Sequence, residues 1–168
     1  MRSGTSAGAP PRAPGRPLVA VLLAGAAAGV LDILAAFVNS GIKGTSPLVV
    51  LKAIASGLLG RAAFQGGPAV AALGLFLHFV IATGWAAIYF LASRRLPVLL
   101  ERPVIFGMLY GAVVTILMHH VVVPLSAAPS FGTPTFRSTV IRFGIHLFFV
   151  GLPIGVVISR YAGRERPA

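Results

Sequence analysis

Apolar residues run in long blocks along this chain, with polar and glycine- or proline-rich stretches between them. Four blocks, at about 18–38, 68–92, 103–123 and 139–161, are each about 20 residues or longer. An α-helix rises about 1.5 Å per residue, so about 20 apolar residues match the hydrocarbon core of a bilayer. The pattern predicts an all-α fold: a polytopic membrane protein whose domain, residues 18–161, is a bundle of four transmembrane helices.

A fifth apolar stretch is shorter. Asn39-Ser40-Gly41 closes the first block, and Ser46-Pro47 then reads as a helix cap followed by proline in the first turn. The helix it predicts, about 47–60, ends at Gly60 and is too short to cross a bilayer. It is expected to lie at the interface, on the periplasmic side, with re-entry into the membrane as the alternative. Lys52 and Ser56 are one turn apart and share its polar strip. Residues 124–138 carry three prolines and no long apolar run, and read as an extended lid over the outer mouth of the bundle.

Composition agrees with this class. The 168 residues are 57% hydrophobic and 10% charged, against about 25% charged in soluble domains. There is no cysteine, which excludes disulfides and thiolate metal sites. A net charge of +11 invites a nucleic-acid reading, but the basic residues flank apolar blocks instead of forming a patch, so nucleic acid is excluded as a partner. The expected partners are the lipid bilayer and, beyond it, a second copy or another membrane protein.

Charge also orients the chain. With four spans, both termini share a side with the loop between the second and third. That side holds Arg2, Arg12, Arg16, Arg94, Arg95, Arg102, Arg160, Arg164 and Arg166, and the other holds Lys43, Lys52, Arg61, Arg137 and Arg142. The excess places both termini in the cytoplasm. Residues 1–17, rich in Pro, Gly and Arg, read as a disordered cytoplasmic tail, and residues 162–168 as a basic cytoplasmic one.

Polar residues inside the apolar blocks supply the candidate chemistry. Asp32, His78, His119, His120 and His146 include every histidine in the chain and one of its three acids. Counting residues from the block ends places all five within a slab about 10 Å thick in the outer half of the membrane. Ionisable groups at that depth are costly, so the layer is a functional-site hypothesis. Gly107, Gly111, Thr115 and His119 recur at intervals of four, Ser138, Arg142 and His146 form another stripe, and Gly74, His78 and Trp85 share a face. The proposed site is therefore Asp32, His78, His119 and His146, with His120, Arg142, Thr115 and Trp85 secondary.

Three chemistries fit such a set. Imidazoles with a carboxylate suit a divalent metal, and facing imidazoles suit haem in an electron-transfer protein. Asp and His chains also relay protons. The third reading is a non-catalytic scaffold or accessory subunit, in which the same groups only hydrogen-bond helices together. No phosphate loop and no paired buried carboxylates occur, so the expectation is a protein that is not an enzyme.

His78-Phe79 with Ala86, Tyr89 and Pro97, then Gly107, Gly111 and His119 before Pro124-Leu125, and Gly144-Ile145-His146, together resemble the YagU-like inner-membrane proteins of bacteria over roughly residues 78–160. The resemblance implies a bacterial inner-membrane location and draws attention to His78, His119 and His146. That family's pattern has no acid at the place of Asp32.

Overall fold

The computed structural model describes residues 17–130, 132 and 135–162. The two expected tails lie outside the described residues, apart from Pro17 and Ala162. All regular structure among the described residues is helical. The helices are α1 (Pro17–Gly41), α2 (Pro47–Leu59), α3 (Pro68–Arg95), the short α4 (Val98–Glu101), α5 (Pro103–Leu125) and α6 (Phe136–Tyr161).

Pro47, Pro68 and Pro103 each sit in a first helical turn, where the missing N–H would have had no partner and the ring presets φ. Ser46 precedes α2 in an extended conformation but makes no side-chain cap, so proline and the backbone set that start. Arg94 and Arg95 end α3, and Arg160 ends α6, which suits the negative pole of each helix.

The side chains are sorted by size in the manner of a membrane bundle. Ala20, Ala24 and Ala28 form a buried stripe on α1 and meet Ala86, Tyr89, Val114, Val150, Ile154 and Ile158 in the core. The large apolar residues face outward, with Leu18 69%, Phe76 65% and Leu109 56% exposed. Lipid tails are as apolar as these side chains, so no hydrophobic drive pulls them inside, and small residues instead let the backbones approach. The chain is an integral membrane protein.

Glycines fix the helix pairs. A Cβ on Gly25 would meet Thr83, and one on Gly29 would meet Phe79, so α1 and α3 run antiparallel. Gly107 faces Gly151, Gly111 faces the His146 carbonyl, and Gly155 faces Pro103, so α5 and α6 also run antiparallel with their backbones in contact. The Gly-x-x-x-Gly spacings thus serve packing within the chain. Residues 96–102 join the end of α3 to the start of α5. The start of α1, the end of α3, the start of α5 and the end of α6 therefore lie at one end of the bundle.

Among the described residues, five helical segments, not the four expected, are long and apolar enough to cross a membrane. The extra one is α2 together with the 3-10 turn that follows it, Pro47–Gln65 in all. The sequence reading stopped at Gly60 and missed this continuation. The segment is not one regular helix, because Gly60 takes φ 61° and breaks the α-helical path. Lys52 Nζ donates to Phe64 O at 3.5 Å and ties α2 to that turn, while Ser56 is fully buried with its hydroxyl on Ala53 O. Of the polar strip expected on α2, Lys52 is half-buried and Ser56 is buried.

Candidate ligand cavity

A cavity of about 1370 Å³ opens between the helices at the α2 end of the bundle. Its walls come from α1, α2, α3, α5 and α6, and in the connection after α5 Ser126, Ala128, Pro129, Ser130, Gly132 and Thr135 border it as well. Ala127 N–H donates to Gly57 O at 2.9 Å, which pins that connection to α2 and frames the opening. The cavity reaches Trp85, about 26 Å along α3 from its start at about 1.5 Å per residue. Its lining on α3 runs from Leu77 to Trp85, about 12 Å of that helix.

Asp32, His78, His119, Arg142, His146 and Trp85 all border this space. Thr115 and His120 do not. Thr115 is buried and donates its hydroxyl to Gly111 O at 2.9 Å, within its own helix. His120 is exposed and uses Nδ1 on Ile116 O at 3.0 Å. Both border a second cavity of about 300 Å³ on the other side of His119 and Arg142.

Each cavity histidine has its ring fixed by one bond, and the partner dictates the tautomer. A carbonyl oxygen only accepts, so His78 donates from Nε2 to Gly29 O at 2.9 Å. His146 likewise donates from Nδ1 to Arg142 O at 2.9 Å, one turn back on α6. A guanidinium only donates, so Arg142 donates to His119 Nδ1 at 3.0 Å and that nitrogen carries no proton. His78 ties α3 to α1, and the Arg142–His119 bond ties α6 to α5. His119 also meets the His120 ring edge-on, with centroids 4.8 Å apart.

Two wide turns deliver these groups. Met118–Val122 and His146–Gly151 are π-helical, with Val123 N–H bonded to Met118 O and Leu152 N–H bonded to Leu147 O, five residues back in each case. Each lies just before a proline, Pro124 or Pro153. A proline inside a helix has no N–H and its ring crowds the carbonyl four residues earlier, so the chain widens locally instead of breaking. The sequence reading missed both π turns. The signal was there in two prolines placed shortly after histidines.

Asp32 makes no hydrogen bond or ion pair with another described residue. The metal reading fails on geometry: no group of three His, Asp or Glu side chains among the described residues is close enough to hold a metal ion. Nor does the structure support a buried Asp/His layer, since three of the histidines are half-buried and His120 is exposed. These residues border one large space and do not form a cluster. The sequence reading also missed α2 as a cavity wall, through Val50, Ala53, Ile54 and Gly57, and the hydroxyls of Ser126 and Thr135 at the mouth.

On the far side of Trp85 the bundle is clasped by aromatics. Tyr110 donates its hydroxyl to Trp85 O at 2.7 Å, and Tyr89 donates to Leu99 O at 2.9 Å. The Tyr89 and Tyr110 rings meet edge to face at 5.0 Å. These bonds close the bundle below the cavity.

No family model, curated protein or solved structure matches this chain.

Proposed function

We propose that this is a four-span membrane protein that binds an amphipathic ligand in its cavity and is not an enzyme. The observation that carries the reading is the cavity itself. Its volume of about 1370 Å³ exceeds the roughly 300–1,000 Å³ of ordinary small-molecule pockets. Its walls are mostly apolar, with a few polar groups on converging helices, which is the composition that orients a largely apolar ligand by one polar end. Scattered histidines that share a cavity without converging on one point suit that role better than a metal centre.

The four-span topology is part of the proposal. The antiparallel pairing of α1 with α3 supports it, because a crossing by α2 would make those two helices parallel. The 13 residues of α2 reach only about 20 Å, short of the roughly 30 Å hydrocarbon core. In this reading α2 enters the outer leaflet and turns back through the Gly60–Gln65 turn. The excess of Arg at the end holding the termini supports a cytoplasmic location for both, and the resemblance to YagU-like proteins supports a bacterial inner membrane.

The test is native mass spectrometry of the protein released from mild detergent. The reading expects one retained lipid-sized adduct on the wild type. It expects loss of that adduct when Ala53→Trp or Ala36→Trp fills the cavity wall with an indole. An adduct unaffected by both fillings overturns it.

A second reading, helix stapling, has one observation of its own. His78 bonds the α1 backbone directly, so its side chain contributes to packing whether or not a ligand binds.

A further inference from the structure

Two charges border the cavity, and neither is paired with an opposite charge among the described residues. Arg142 on α6 is a permanent cation whose one side-chain hydrogen bond among the described residues goes to an uncharged ring nitrogen, Nδ1 of His119. Asp32 on α1 has no described partner. Asp32 lies three residues after Gly29, whose carbonyl holds His78, and Arg142 lies one turn before His146, whose own carbonyl packs on Gly111. Both charges thus sit on the outward side of the closest helix contacts, toward the mouth.

A lone charge in a water-poor, apolar surrounding is costly, and its cost falls when an opposite charge is brought to it. An anionic ligand would satisfy Arg142 and leave Asp32 facing a like charge. A cationic ligand would do the reverse. A ligand carrying both signs satisfies both at once.

Resting on the cavity reading above, we propose that the ligand is a phospholipid whose headgroup carries a phosphate and an ammonium. The phosphate is received by the free guanidinium N–H groups of Arg142 and by Nε2–H of His119, and the ammonium by the Asp32 carboxylate. Guanidinium donors match phosphate oxygens in geometry, and an ammonium with N–H groups hydrogen-bonds a carboxylate as well as pairing with it. The acyl chains lie along Ala28, Ile81 and Val150, which line the cavity on the inner side of both charges. The size and apolar walls of the cavity favour a lipid over a soluble zwitterion with the same headgroup chemistry.

The test offers the full-length protein an equimolar mixture of phosphatidylethanolamine and phosphatidylglycerol with matched chains, and reads retained lipid by native mass spectrometry. Wild type is expected to retain the ethanolamine lipid at least tenfold over the glycerol lipid. Asp32→Asn, nearly isosteric, should bring the ratio within twofold by losing the ammonium partner. Arg142→Gln should lose both lipids, and Arg142→Lys should keep binding, which preserves the test if the glutamine variant does not fold. Equal retention by wild type, or an unchanged ratio in Asp32→Asn, overturns the headgroup assignment. Displacement of the lipid by an equal concentration of glycerophosphoethanolamine overturns the lipid assignment in favour of a soluble zwitterion. Ala53→Trp separates the two levels: if both lipids are retained equally and both are lost on filling, the cavity reading stands and the headgroup inference falls. Retention of both after filling overturns both.

Discussion

Replacing Gly111 with alanine perturbs the backbone contact that positions the cavity's α6 wall. A Cβ at that position collides with the His146 carbonyl oxygen and sits 2.8 Å from Leu147 Cα. Both are backbone atoms, so no rotamer change relieves the clash, and α5 must move from α6 by about 1 Å to restore a normal contact near 3.5 Å. Overpacking of this kind costs about 1–3 kcal/mol. Gly144→Ala on α6 and Gly84→Ala on α3 are the matched controls, because a Cβ there meets nothing within 4 Å. Those controls should be neutral or gain up to about 1 kcal/mol from helix propensity. At about 2–4 °C per kcal/mol for a chain of this size, Gly111→Ala should lower the midpoint of thermal unfolding by about 2–12 °C. Thermal melts of the three variants in one detergent decide the matter. If Gly111→Ala matches Gly144→Ala, close backbone contact does not hold this helix pair together.

Other outcomes follow from the same structure. Because the chain has no cysteine, single cysteines at Lys43, Gln65, Ser130 and Leu96 report topology directly. An impermeant maleimide on intact cells should label the first three and spare Leu96→Cys, whereas a crossing by α2 would spare Gln65→Cys and label Leu96→Cys. Tyr110→Phe removes the hydroxyl bond to Trp85 O and should cost about 0.5–1.5 kcal/mol in reversible unfolding. A double-mutant cycle of His119→Ala with Arg142→Gln should give a coupling of about 0.5–2 kcal/mol. A cycle of Arg142→Gln with Ser159→Ala should be additive, because Ser159 Oγ bonds Val156 O within its own turn, more than four turns along α6 from Arg142.

The sequence revealed the helices far better than it revealed the site. Long apolar blocks set helix length almost unaided, and Pro47, Pro68 and Pro103 mark starts that need no side-chain cap. Gly107, Gly111, Gly151 and Gly155 announced close packing because only small residues admit backbone contact between membrane helices. Depth could be counted from the ends of the blocks, but facing could not. A helix wheel places His119 and His120 about 100° apart without saying which looks inward, and the π turn that contains both alters the count. The same wide geometry at His146–Gly151 displaces the register on α6. A common depth was therefore mistaken for a common centre, and the metal reading built on it fails. The role of α2 escaped for another reason. Its wall is made of Val50, Ala53 and Ile54, which have no chemistry to flag.

The central claim is that an amphiphile occupies the cavity, and the most direct test is photo-crosslinking in the membrane. A phospholipid analogue with a diazirine in its acyl chain is activated in vesicles containing the full-length protein, and the labelled peptides are mapped by mass spectrometry. The account predicts labels on the cavity face of α1, α3 and α6, at residues such as Ala28, Ile81 and Val150, with loss of those labels in Ala53→Trp. Labels confined to outward residues such as Leu22, Phe76 and Leu109 would describe ordinary annular lipid and contradict it.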